Sequence, residues 1–198
     1  MTAIVISVMP NPTIRPARTA DVPLIRKLID ANVDSGRLLS KATVTLYEDI
    51  QEFCVAELPD TEFSGAGMLA GCGAVHVLWE DLAEIRTVAV RDDCQGCGVG
   101  HAIVAALIDR CRELGVARVF VLTFAVDFFA SHGFQSINGT PVAPEVYREL
   151  LSSYDEGVAE FLDLERVKPN TLGNVRMLMH LLPGKMNTPV AHVPNLAN

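Results

Sequence analysis

The chain has 198 residues, 49% of them hydrophobic and 20% charged, with a formal net charge of −8. That length predicts one domain, and the apolar fraction excludes a disordered polymer. The acidic balance argues against a nucleic-acid or anionic-membrane partner, because both are bound through clustered Lys and Arg.

The N-terminal stretch Met1–Met9 resembles a signal sequence only in its apolar character, since it lacks a basic start and Pro10-Asn11-Pro12 follows it. Residues 1–13 are read as a flexible leader or an added edge strand, 183–198 as a flexible tail, and 14–182 as the domain. Val22, Ile25, Leu28 and Ile29 recur at helical spacing behind a capping Asp21 and an early Pro23. Leu46, Ile50 and Phe53 predict a second helix from about residue 43, giving way to a strand over 53–57. Strands are then expected over 69–79 and 84–90, with a tight turn at 80–83 between them. Ile103, Val104, Leu107, Ile108, Cys111 and Leu114 form one apolar helical face, closed by Gly115. A buried strand over 118–123, a short helix over 126–132, a helix over 144–154 and a last strand over 175–182 complete the order. Antiparallel strands followed by a helical crossover imply an α/β (α+β) fold, with a mixed, mostly antiparallel sheet flanked by helices. No apolar run reaches the roughly 18 residues of a membrane helix. Five Cys, an odd number, suit a reducing compartment. A soluble, cytoplasmic protein is expected.

Gln95-Gly-Cys-Gly-Val-Gly100 is the most informative segment, lying between a strand and an amphipathic helix. Free amides, a helix dipole and glycines that admit a close phosphate are available there. A simple connecting turn, a dinucleotide fingerprint and a P-loop all compete for it. The fingerprint fails in both registers, because His101 and Ile103 stand where its last Gly or Ala belongs, and the P-loop lacks Gly-Lys-Ser/Thr. The pattern Q-x-x-G-x-G remains, and it resembles the pyrophosphate-binding loop of the GCN5-related N-acetyltransferases. Thr87-Val-Ala-Val90 before it, Val119-Phe-Val-Leu-Thr123 after the helix, and Phe128-Phe-Ala-Ser-His-Gly-Phe134 carry the same resemblance. Gly36–Lys41, Thr45–Glu48, Ile50–Phe53, Cys72–Ala74, Glu84–Val90 and Gly173–Leu178 narrow it to the acetyltransferase domain of N-acetylglutamate synthase. The short, single-domain amino-acid N-acetyltransferases are the type most resembled, over residues 14–182.

The resemblance implies acetyl transfer from acetyl-CoA to the α-amino group of glutamate, the first step of arginine biosynthesis, without a metal. It implies that the backbone of Val88, Ala89 and Val90 pairs with the pantetheine arm, and that the Val88 N–H polarises the thioester. Gln95, Gly96, Cys97, Gly98, Val99 and Gly100 are then the pyrophosphate loop, with His101 and Phe128 beside the coenzyme. Glu84 is the expected general base, acting through a water; the plainer reading is a solvated carboxylate at a strand start. Strict alternation would put Glu84 and Thr87 on opposite faces, and a bulge like the family's would bring both to the site. Thr87, Lys41 and Arg176 are expected to bind the acceptor. Ser40 and Val175 depart from the synthase pattern, which leaves glutamine open as an acceptor. Phe129 replaces the usual tyrosine acid, so the thiolate leaves into water or near His132, itself read as a helix-end residue. Arg86 and Lys168 are read as salt-bridge or surface residues, His76 as a satisfied core histidine and second choice of base, and Trp79 and Tyr47 as packing. Cys94 and Cys97 suggest a metal or redox pair, but no second pair accompanies them.

A small-molecule amino acid is the expected partner, and a homodimer stays open. Two readings compete with a synthase. One is a non-catalytic acetyl-CoA sensor, favoured by Phe129 and Ser40 and opposed by Glu84 and Lys41. The other is an acetyltransferase for a different amine, such as a polyamine or a protein terminus. A chain of this length also leaves no room for the kinase-like domain that senses arginine in longer synthases.

Overall fold

The computed structural model describes residues 11–34, 38, 40–59, 68–139, 142–153 and 174–181. The leader up to residue 10, Leu182 and the tail over 183–198, and Gly36, Arg37, Lys168 and Gly173 lie outside them.

Among the described residues seven strands form one sheet in the order β1-β2-β3-β4-β5-β7-β6. They are β1 (Thr13–Pro16), β2 (Phe53–Leu58), β3 (Met68–Trp79), β4 (Leu82–Val90), β5 (Arg118–Thr123), β6 (Gln135–Ser136) and β7 (Val175–His180). Every neighbouring pair is antiparallel except β4 and β5, so the sheet is mixed as the element order implies. Sequence reading misses β1 and β6. The first is a four-residue edge ending in Pro16, tolerable only because an edge strand can spare a donor, and the second has two residues. Thr13, assigned to the leader, already pairs with Glu57.

Among the described residues five helices flank the sheet: α1 (Val22–Asp34), α2 (Thr43–Glu48), α3 (Val99–Glu113), α4 (Val126–Ala130) and α5 (Pro144–Leu150). The helix expected from residue 43 stops at Glu48, and a 3-10 turn over Ile50–Glu52 takes the chain into β2. Asp21 does not simply cap α1. Its buried carboxylate accepts the Arg18 N–H at 2.7 Å and two bonds from the Arg15 guanidinium. The helices expected over 126–132 and 144–154 are shorter, and β7 ends at His180.

α3 lies on one sheet face, with Ile103, Val104 and Leu107 buried against Ala70, Val75, Ala83 and Ile85. Its close approach depends on Gly71 and Gly73, where an added Cβ would come within 2.8 Å of Ile103. α1 and α2 cover the other face through Ile25, Ile29 and Leu46 on Val55, Cys72 and Ala74. α5 packs Leu150 on Leu78, Leu82, Phe120 and Leu178. Tyr47, expected to pack, is 46% exposed, whereas Trp79 is half-buried beside the α5 cluster. Among the described residues no helix is long and apolar enough to cross a membrane.

Candidate active site

The site begins where the sheet comes apart. β4 and β5 pair in parallel only from Leu82↔Arg118 to Glu84↔Phe120, and beyond Glu84 the two strands separate. In the same stretch β4 carries a bulge, because Cys72 and Ala74 of β3 face Ala89 and Arg86, one residue further apart on β4 than on β3. Thr87 occupies the bulge at φ 57°, the only non-glycine residue among those described with positive φ. A β-branched side chain rarely adopts that conformation, so the surrounding pairing must hold it there. The parity of β4 changes at this point: Ile85 faces α3 before the bulge, and Val88 and Val90 face it afterwards.

A cleft of about 310 Å³ fills the gap, lined by Ile85–Val88 of β4, Val121–Thr123 of β5, Phe128 and Phe129 of α4, and Asn32 and Leu38. A larger cleft of about 540 Å³ shares Asn32 and runs along α1 to Val90, Arg91, Asp92 and Asp93, just ahead of the glycine loop. Sequence reading passes over Asn32, although the signal is present. It is a polar residue continuing the apolar α1 stripe of Ile25, Leu28 and Ile29; it is 9% exposed and donates from Nδ2 to the Leu28 carbonyl at 2.8 Å. Thr123 is equally missed, and its buried Oγ1 accepts the Ala125 N–H at 2.9 Å where the chain turns toward α4.

The glycine loop closes the upper end. Gly98 is the N-cap of α3, in the left-handed region at φ 82°, and no side chain caps the helix. Its carbonyl accepts the Ala102 N–H at 3.0 Å, so the amides of Val99, Gly100 and His101 have no acceptor within the helix. Those amides, at the positive end of a 15-residue helix, can hold an anion. The glycines meet different demands. Gly98 is required by its dihedral, since an added Cβ meets nothing within 4 Å, whereas at Gly100 a Cβ would touch the Phe128 ring at 3.4 Å. Gln95 is held by Asp92 at 2.8 Å, Cys97 is exposed, and Cys94 is buried beneath the loop. Among the described residues no group of three or more His, Cys, Asp or Glu side chains could hold a metal.

The Phe128 ring lies tilted against His101 with centroids 4.8 Å apart, and His101 Nδ1 lies 2.9 Å from His132 Nε2. Burial and the neighbouring His101 push the His132 pKa below the ordinary histidine value. Phe129 is buried, edge-on to both Phe128 and Phe134.

Glu84 is 6% exposed on the sheet face turned away from α3, so it is not a solvated strand start. Arg86, two residues on, pairs with Glu52 at 2.8 Å and Asp49 at 3.3 Å, which bears out the salt-bridge reading. His76 is half-buried, with Nδ1 2.7 Å from Glu52 Oε1. Lys41 is half-buried, and its carbonyl accepts a bond from Arg26. Arg176 stands opposite Leu122 on β7, on the face that carries Phe120 and Leu178. Thr87 and Val88 line the 310 Å³ cleft, whereas Glu84, Lys41 and Arg176 are not among its lining residues.

Comparison with known proteins gives this arrangement its context. Residues 32–134 match the model of the Acetyltransferase (GNAT) family. The chain belongs to that family. It is 58% identical to an amino-acid acetyltransferase of Mycobacterium tuberculosis over 172 residues, which cover 86% of this chain and 95% of the relative. The crystal structure of Rv2747 from Mycobacterium tuberculosis, in complex with CoA, superposes with a TM-score of 0.80 at 57% identity, covering 86% of this chain and all of that one. N-acetylglutamate synthase from Neisseria gonorrhoeae, complexed with coenzyme A and N-acetyl-glutamate, gives a TM-score of 0.67 at 26% identity over 87% of this chain. This chain spans 36% of that longer protein. The fold expected from the sequence is therefore the one found: a GNAT domain built on a mixed seven-stranded sheet.

Proposed function

We propose that this acetyltransferase moves the acetyl group of acetyl-CoA to the α-amino group of L-glutamate, with L-glutamine as a second acceptor, as the first step of arginine biosynthesis in the cytoplasm. The observation that carries the reading is the parting of β4 from β5 beside a glycine-capped helix. A β4 edge without a strand partner past Glu84 suits an extended pantetheine arm, and the α3 amides suit a pyrophosphate some way along it.

In this reading Val88, Ala89 and Val90 pair with the arm through their backbone, and the Val88 N–H polarises the thioester carbonyl. Gln95, Gly96, Cys97, Gly98, Val99 and Gly100 enclose the pyrophosphate, with His101 and Phe128 alongside. Glu84 takes a proton from the acceptor amine through a water, which frees the nitrogen lone pair for attack. Thr87, Lys41 and Arg176 orient the acceptor, the two cations answering its carboxylates in an otherwise acidic protein. Phe129 has no proton to give, so the departing thiolate is protonated from water. The relatives named amino-acid acetyltransferase, and the neighbour complexed with N-acetyl-glutamate, support an amino-acid acceptor.

Thiol release from acetyl-CoA, measured against each of the twenty amino acids, tests the proposal. Turnover with glutamate or glutamine above the other acceptors is expected. A preference for an unrelated amine refutes the substrate assignment, and no release with any amine favours an acetyl-CoA sensor instead.

A further inference from the structure

Acetylation of an ammonium by a thioester removes two protons from nitrogen. One ends on the coenzyme thiol, and the other must reach solvent in every turnover. With Glu84 as the base, that second proton arrives on a carboxylate only 6% exposed. A buried base that cannot unload its proton limits the cycle, whatever the rate of attack.

The strand register provides a route. His76 of β3 stands directly opposite Glu84 of β4, within the regular stretch from Ala74↔Arg86 to Val77↔Ala83. Directly opposed residues of an antiparallel pair share a face, with Cβ atoms about 5 Å apart. The neighbouring pair Val75↔Ile85 faces α3, which fixes His76 and Glu84 together on the other side. His76 also reaches the outside. β2 begins at Phe53 opposite Ala74, so β3 has no β2 neighbour from Val75 onward. At that uncovered edge an opening of about 210 Å³ is lined by His76, Glu52, Gln51, Val77 and Arg110. The His76 side chain is 23% exposed.

Glu52 fixes the ring. One carboxylate oxygen lies 2.7 Å from His76 Nδ1 and the other 2.8 Å from Arg86 Nη2, while Arg86 is held further by Asp49. The carboxylate favours the tautomer that donates from Nδ1, so Nε2 is the nitrogen that can gain and lose a proton. The charged groups around His76 are thus Glu84 and Arg86 from β4, Glu52 and Asp49 from the turn before β2, and Arg110 from α3.

We infer that His76, positioned by Glu52, carries the proton collected by Glu84 out to solvent. The inference rests on Glu84 being the base. Glu84–OH gives its proton to Nε2, which leaves the carboxylate ready for the next amine. The imidazolium, stabilised by Glu52, then releases that proton to water at the β3 edge, and no other bond changes.

The test uses His76→Gln, His76→Ala, Glu52→Gln and Glu84→Gln in the full chain, assayed by thiol release with the preferred acceptor. His76→Gln is expected to lower kcat about 100-fold, the lower end of general acid–base effects, at unchanged KM for both substrates. Glu52→Gln, which keeps the shape and loses the charge, is expected to give a smaller fall. Imidazole buffer should restore kcat to His76→Ala in proportion to its concentration, and should leave wild type unaffected. A purely structural histidine would lower thermal stability without any buffer dependence. If the His76 variants keep wild-type kcat, or lose it with no imidazole response, while Glu84→Gln is impaired, the exit route is overturned and the base stands. If Glu84→Gln turns over normally, the base assignment fails and takes this inference with it.

Discussion

Replacing Gly98 by Ala separates what the glycine loop does for folding from what it does for the coenzyme. The backbone at Gly98 has φ 82°, and a Cβ there meets no atom within 4 Å, so the cost is conformational only. The left-handed region costs a non-glycine residue about 1–2 kcal/mol. Loss of glycine's freedom in the unfolded chain returns about 0.4–1 kcal/mol of this. The net destabilisation is therefore about 1 kcal/mol, a fall in Tm of roughly 2–4 °C for a chain of this size. Gly115 is a matched control, with φ 80° and nothing within 4 Å of its added Cβ. It lies just past the other end of α3, about 25 Å away at 1.5 Å per helical residue. Gly115→Ala and Gly98→Ala should melt within a degree or so of each other. Only Gly98→Ala should weaken acetyl-CoA binding, read by calorimetry, because its methyl stands at the mouth of the α3 amides. Equal loss of affinity in both variants, or in neither, refutes the assignment of the loop.

Three further outcomes follow from the geometry. Arg15 holds the Asp21 and Glu57 carboxyls below their ordinary values by hydrogen bonding to both. Depressed carboxyl pKa values stabilise the fold above the unfolded-state values, and that stability is lost as pH falls through the folded ones. Acid titration of wild type should therefore show stability declining from about pH 5 downward, and Arg15→Met should flatten that decline while costing about 1–2 kcal/mol at pH 7. Gly73→Ala would set a methyl 2.8 Å from both Ile103 Cγ2 and Leu107 Cδ1, and urea unfolding should register about 1–3 kcal/mol of overpacking. Thr87→Gly relieves a positive φ and should unfold within about 1 kcal/mol of wild type, whereas an ordinary strand threonine loses more on becoming glycine; a larger loss would show that the bulge is not strained.

Much of the site is legible in the chain because it depends on neighbours in sequence. The glycine loop, the helix it opens and the strand before it lie within one run of 32 consecutive residues, Leu82–Glu113, where residue type alone specifies turn, cap and apolar stripe. The elements missed, β1 and β6, have four residues and two. Strands so short carry no periodicity, and they exist only because β2 and β7 offer edges to pair with. The second helix forms but ends at Glu48, because a 3-10 turn over Ile50–Glu52 carries the chain into β2, where Phe53 pairs with Ala74.

Residue identity alone specifies the composition, the loop, the Glu84 candidate and the absence of a tyrosine at Phe129. Tertiary structure decided the rest. The bulge at Thr87 arises because β3 supplies one residue fewer than β4 across that stretch, and no local propensity would put a threonine at φ 57°. Burial of Glu84, its register opposite His76, and the bridging of His76 to Arg86 by Glu52 join three chain segments, and such contacts have no trace in local pattern. Lys41 and Arg176, both expected on sequence grounds to bind the acceptor, stand outside the lining of the cleft, because the fold sets a side chain's surroundings through elements distant along the chain.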